Sequence, residues 1–180
     1  MEGPYIEPAP PRAVVDRLRA ALPDAVRDVA EFRGEITIVV PGEALLEIAR
    51  FLRDDPEADF DMLTVVTAMH YLGRDYDYEV LYHLYSLRKN HRLRLKIRLR
   101  EGDTVPSVTP IWSGANWPER EAYDLVGVRF SGHPDLRRII MPEDYAYHPL
   151  RKDFDVEGAP ADRRPQGRAA SPGFRDMESV

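Results

Sequence analysis

From Arg92 to Arg100 the chain alternates basic and aliphatic residues without a break. Arg92, Arg94, Lys96, Arg98 and Arg100 interleave with Leu93, Leu95, Ile97 and Leu99. A period of two puts one residue type on each side of a strand, whereas a helix would scatter the aliphatics around its axis. The run therefore demands a sheet with one buried face and one cationic face. Residues 77–87 supply the pairing strand. With Arg88-Lys89-Asn90-His91 as the loop, Leu84 is expected opposite Leu95, Tyr82 opposite Ile97, Val80 opposite Leu99 and Glu79 opposite Arg100. The three apolar pairs share one face, which makes that register self-consistent.

The rest of the first half follows from periodicity. Val14, Val15, Leu18 and Leu22 predict a helix over 12–22, stopped by Pro23. Strands are expected over 25–32 and 35–40, joined by a tight turn at Arg33-Gly34. Leu45, Ile48, Ala49 and Leu52 predict an amphipathic helix over 43–54, closed by Asp54-Asp55-Pro56. Residues 61–72 read as a short turn of helix leading into a strand. The order α-β-β-α-β-β-β predicts an α+β fold: a small, largely antiparallel or mixed sheet with helices packed on one face, ending near residue 105.

Beyond that point the pattern changes. Pro106, Pro110, Pro118, Pro134, Pro142 and Pro149 punctuate residues 106–155. One short helix fits, over 117–126, with Asn116 as its cap, Glu119 at capping-box spacing and Gly127 as its stop. The remainder reads as a long extended segment laid across another protein. Residues 1–11 are expected to be a flexible arm, and residues 156–180 a disordered or partner-ordered tail.

Composition narrows the chemistry. The absence of cysteine excludes disulfides, thiolate catalysis and Cys-ligated metal centres. A net charge of −6 argues against general nucleic-acid binding. No run is long and apolar enough to span a membrane, and the Met1-Glu2-Gly3-Pro4 start lacks secretory-signal character, so a cytoplasmic location is expected. The basic strand offers an anion-binding or docking surface, but strand alternation alone also yields a solvated cationic face. His133 and His148 each precede proline without the spacing of a helical metal pair, so hydrogen-bonded turn histidines are expected. Glu119, Glu121 and Asp124 form an acidic set on a helix whose start favours acids anyway. No nucleophile, phosphate loop or dinucleotide fingerprint accompanies them.

From Trp117 the chain reads WPEREAYDLVGVRFSGHPDLRRIIMPEDYAYHPLRKDF. Glu119, Arg120, Glu121, Asp124, Leu125, Val126, His133, Arg137, Ile139 and Ile140, followed by His148-Pro149-Leu150-Arg151-Lys152-Asp153, closely resemble the 30 kDa-type subunit family of proton-translocating NADH:quinone oxidoreductase, respiratory complex I. Three positions depart from the family pattern. Tyr147 stands where glycine is usual, Asp155 where proline is common, and His70 where an acid is common.

The resemblance implies a non-catalytic subunit of the hydrophilic arm, supporting NADH-to-quinone electron transfer coupled to proton translocation. It implies no catalytic, cofactor or metal residue on this chain, with FMN, iron–sulfur clusters and quinone held by partner subunits. It implies packing against the quinone-cavity and terminal-cluster subunits, and a peripheral position on the cytoplasmic side of the inner membrane. The implied partner-binding residues are Glu119, Arg120, Glu121, Asp124, His133, Asp135, Arg137, Arg138, His148, Arg151, Lys152 and Asp153. Of these, Arg137, Arg138, Arg151 and Lys152 are expected to contact acidic groups of the partner. The alternative is the equivalent subunit of a related membrane-bound hydrogenase or other donor:quinone complex.

Overall fold

The computed structural model describes residues 12–155 together with Glu157 and Gly158. The arm expected over 1–11 and nearly all of the tail expected over 156–180 lie outside the described residues. Helix α1 spans Arg12–Ala21, strands β1 and β2 span Asp28–Phe32 and Glu35–Val39, and a 3-10 turn at Gly42–Ala44 leads into α2, Leu45–Asp54. Strands β3, β4 and β5 span Met62–His70, Tyr78–Ser86 and His91–Leu99. A short β6, Thr104–Pro106, precedes a second 3-10 turn and α3, Asn116–Val126, and β7 spans Arg129–Ser131.

Strands β1 to β5 form one mixed sheet in the order β1-β2-β5-β4-β3. Strands β2 and β5 are parallel and the other neighbours antiparallel. The apolar residues of β5 fix the buried face. Leu93, Leu95 and Ile97 lie with Val80, Tyr82 and Leu84 of β4 and Ile36 and Ile38 of β2 in one hydrophobic cluster. Val14, Val15 and Leu18 of α1, Leu45, Ile48, Ala49 and Leu52 of α2, and Ala122 and Val126 of α3 close the same cluster. The fold is therefore α+β with the helices on one face, followed from Gly132 to Asp155 by chain with turns but no helix or strand.

Several local expectations are corrected. The β4–β5 hairpin pairs Leu84 with Leu93, Tyr82 with Leu95, Val80 with Ile97 and Glu79 with Arg98. The partner is displaced by an even number of residues, so every side chain keeps its expected face. The loop is Leu87-Arg88-Lys89-Asn90. Asn90 takes the left-handed conformation at φ 51°, which asparagine tolerates, and the buried His91 starts β5 with its Nε2 2.6 Å from the Ala58 carbonyl.

Residues 62–70 form strand throughout, with no helical turn. The β-branched run Thr64-Val65-Val66-Thr67 favours that state, and a bulge lies between Leu63 and Val65. Strand β1 starts at Asp28 rather than 25, because Ala25 closes a turn on the Leu22 carbonyl.

The hydrophobic core continues past residue 105. Val105, Val108, Ile111, Trp112, Ala115, Val128 and Phe130 belong to the same core as the sheet, and β6 pairs in parallel with β7. The prolines there shape turns within one packed unit, and burial of these apolar side chains holds the segment in place. Among the described residues, no helix is long and apolar enough to cross a membrane.

The central strand carries the stability. Leu95 has no exposure and sits mid-sheet beneath the helices. Leu95→Ala should cost about 2–5 kcal/mol, read as a lowered midpoint in chemical denaturation with unchanged cooperativity.

Candidate functional site

Helix α3 is the anchor of the motif region. The expected capping box does not form. Ala115 occupies the N-cap position in helical conformation, and no side chain caps the helix start. The 3-10 turn at Ser113–Ala115 already carries the chain into the helix, so Asn116 lies inside it. Glu119 turns into the core instead. Its Oε1 accepts the Val108 N–H at 2.8 Å and its Oε2 accepts the Ser107 hydroxyl at 2.6 Å. Burial pushes the Glu119 carboxyl up to about 7, although both hydrogen bonds pull the other way. The helix stops as expected at Gly127, left-handed at φ 94°.

Asp124 faces the other way and is also fully buried. Its Oδ2 accepts the backbone N–H groups of Ile139, Ile140 and Met141 at 2.9, 2.7 and 3.0 Å. Its Oδ1 accepts Arg138 Nη1 at 2.7 Å. Burial alone would raise this carboxyl, but the three N–H groups and the guanidinium outweigh it and hold it at about 2. Arg138 also donates to the carbonyls of Asp124, Tyr145 and Tyr147. Arg120 runs alongside, donating to the carbonyls of Arg137 and Arg138 at 3.0 and 3.3 Å, with its guanidinium over the Trp117 ring.

The two histidines are turn residues. His133 Nδ1 accepts the Asp135 N–H at 3.0 Å, which leaves Nε2–H to donate to the Asn116 carbonyl at 3.1 Å. His148 Nδ1 lies 2.9 Å from the Asp124 carbonyl. A Cβ at position 127 would come within 2.8 Å of the His148 ring, so glycine serves both as helix stop and as the floor under that histidine. Among the described residues, no group of three or more His, Asp or Glu is arranged to hold a metal ion.

The segment is pinned again further on. Leu150 N–H donates to the Leu125 carbonyl, and Lys152 N–H donates to His70 Nδ1 at 3.0 Å. Where an acid is common at position 70, histidine here still provides an acceptor. Arg151 bonds the Tyr78 hydroxyl, Glu101 and Asp153. Tyr147 is not among the left-handed residues, so its turn has no need of glycine.

The structure thus turns most of the expected docking residues inward. Glu119, Arg120, Asp124, Arg138, His133, His148 and Arg151 bind parts of this same chain, and Arg138 and Arg151 each have a carboxylate of this chain beside them, Asp124 for the first and Glu101 and Asp153 for the second. Arg137 pairs with Asp135 at 2.6 Å on the surface. Glu121, Lys152 and Asp153 stay exposed. The acidic set is not a cluster: Glu119 and Asp124 serve different loops and Glu121 faces solvent. Ser107, Tyr78 and Glu101 complete the clamp without any signal in the sequence, and His70 stood out there only as a departure from the family pattern, because the motif's spacing says nothing about contacts with distant strands.

Three comparisons bear on this arrangement. The family model described as "Respiratory-chain NADH dehydrogenase, 30 Kd subunit" matches residues 38–160. A relative from Roseiflexus sp. (strain RS-1), named as a subunit of NADH-quinone oxidoreductase, is 51% identical over 144 residues, 79% of this chain and 83% of its own. One of the same name from Geotalea uraniireducens is 45% identical over 155 residues, 86% of this chain and 92% of its own. Among solved structures, a chain of the archaeal membrane-bound sulfane sulfur reductase, a respiratory membrane complex, superposes with a TM-score of 0.68. That match covers 81% of this chain and 85% of the other at 24% identity, and it speaks for the fold.

The two buried carboxyls give opposite pH signatures. Unfolded, Glu119 returns to about 4.5, so between 4.5 and 7 unfolding releases a proton and stability falls as pH rises. The loss amounts to roughly 3 kcal/mol above pH 7 and should be absent in Glu119→Gln, as read by denaturation of both proteins from about pH 5 to 8. Asp124 contributes roughly 2 kcal/mol above its unfolded value of 3.8, lost as pH falls toward 2. Asp124→Asn places an amide against Arg138 and should cost about 3–5 kcal/mol. It should also speed hydrogen exchange at Ile139, Ile140 and Met141 before the sheet opens.

Proposed function

Because the chain belongs to the family of the 30 kDa subunit of respiratory-chain NADH dehydrogenase, a component of the multi-subunit NADH-quinone oxidoreductase, we propose that it acts there as a non-catalytic structural and assembly subunit. In this reading it lies in the hydrophilic arm on the cytoplasmic side of the membrane and is held by the quinone-cavity and terminal-cluster subunits. It supports electron transfer from NADH to quinone coupled to proton translocation. FMN, iron–sulfur clusters and quinone belong to its partners.

One observation carries the reading. The polar residues of the family motif are spent on holding the chain's own C-terminal segment, and that segment, with the start of α3, turns large apolar side chains outward. Trp117 is 64% exposed, Ile140 60% and Leu150 58%. Fixing a segment before it binds removes much of the ordering cost of association. Exposed apolar side chains on the same stretch of chain as the exposed charged residues Glu121, Arg137, Lys152 and Asp153 have the make-up of a docking surface.

The test is affinity recovery of the tagged chain from mildly solubilised native membranes, with co-purifying subunits identified by mass. A flavin-binding NADH-oxidising module, cluster-bearing subunits and membrane subunits should come with it. Recovery of the chain alone would end the proposal, and a core without the NADH module would place it in a different donor:quinone complex. Ile140→Asp should lower recovery of partner subunits at least about tenfold while changing the stability of the isolated chain by less than about 1 kcal/mol.

A further inference from the structure

The alternating basic strand has no part in the clamp, and its polar side points away from all three helices. On that helix-free face the residues line up in rows across the sheet. One row runs Val65, His83, Arg94, Thr37, and its neighbour runs Met62, Tyr85, Arg92. Further along lie Thr67, Leu81, Lys96 and Val39, then Met69, Glu79 and Arg98.

The charges along these rows are not equally balanced. Lys96 and Arg98 both lie beside the buried Glu79, at 3.2 and 3.6 Å. At the other end, Arg92 is exposed, and its described partner is the Tyr85 ring, 5.0 Å away, with no carboxylate within ion-pair distance among the described residues. Arg94 reaches Glu35 and Thr37 through its terminal nitrogens, but its Nε is buried without an acceptor. Around these two arginines is a cleft of about 260 Å³, lined by Glu35, Thr64, His83, Tyr85, Arg92 and Arg94. Beside it on β3, three apolar side chains face solvent: Met62 at 43%, Val65 at 44% and Met69 at 38%. One exposed cation without a carboxylate, Arg92, beside a cleft and an apolar stripe calls for a complementary surface: carboxylates flanked by apolar side chains.

We propose that the helix-free face of the sheet is a second docking surface, which takes an acidic, apolar-flanked segment of another subunit of the same complex, with Arg92 and the Arg94 cleft as its anion anchor. This rests on the chain being a complex subunit. It is a surface separate from the one at α3 and the C-terminal segment, and once one contact is made the second forms at high effective concentration, so the two reinforce each other.

The test places a benzophenone amino acid at the exposed Thr67 in the tagged chain, with exposed Glu47 of α2 as the control position, and irradiates the membrane-extracted complex. The expected product joins position 67 to a peptide of another subunit that contains Asp or Glu beside apolar residues. Its yield should fall at least tenfold in Arg92→Glu and only partly in Arg92→Lys. Failure of the position-67 chain to enter complexes that the position-47 chain enters also supports the proposal, since the bulky group then blocks the face. Normal assembly with no product at position 67, a product with lipid, a product with this chain's own terminal residues, or a yield indifferent to Arg92→Glu would each overturn it. Failure of the unmodified tagged chain to recover any subunit would instead overturn the functional reading beneath it.

Discussion

Asp124 is an anion with no exposure to solvent, and a carboxylate in that position persists only when its acceptor sites are filled. Here three consecutive backbone N–H groups and one guanidinium fill them. The requirement works in both directions. The carboxylate needs the donors, and the loop at Ile139-Ile140-Met141 has no strand neighbour to take its N–H groups. Removing either leaves buried polar groups without partners, which is why a stretch without helix or strand follows one path across the domain.

Other contacts depend on that one. Arg138, fixed by Asp124, gathers the carbonyls of Tyr145 and Tyr147, and the Asp124 carbonyl receives His148 over Gly127. Further on, Arg151 and the Lys152 amide attach the chain to β4 and β3 through Tyr78 and His70. Glu119 performs the equivalent task on the opposite side of α3, holding the turn at Ser107-Val108. The helix thus works as a strut, with one acid for each of the two loops it organises. The apolar side chains left outside this framework are the ones a neighbour can use.

How much of this could be read in advance depended on the range of the interaction. The face of β4 and β5 was legible because period-two alternation is local, and it survived a displaced register because the displacement was even. The register itself was not legible, since it turned on Asn90 entering a left-handed turn and on His91 reaching the distant Ala58 carbonyl. The helix at Asn116 was legible, and its capping box was not formed because the core offered Glu119 two donors from another loop. Residues 62–70 mixed apolar and β-branched types, and only pairing with β4 made them strand throughout.

By itself the sequence determined the α+β class, the helices on one side of the sheet, the stop at Gly127 and the family, because each is written in periodicity, in a local conformational need or in a motif of fixed spacing. The tertiary structure decided what the motif's charged residues do. Which groups of this chain Asp124, Arg138 and Arg151 reach depends on the donors and acceptors that lie within about 3 Å after folding. Those groups come from Ile139 to Met141, Tyr145, Tyr147, Tyr78 and Glu101, which spacing along the chain does not reveal. The same holds for the basic strand: alternation gave it a cationic face with Glu79 across from one end, but only the packed sheet decided that Glu79 lies beside Lys96 and Arg98 and leaves Arg92 open at the other end.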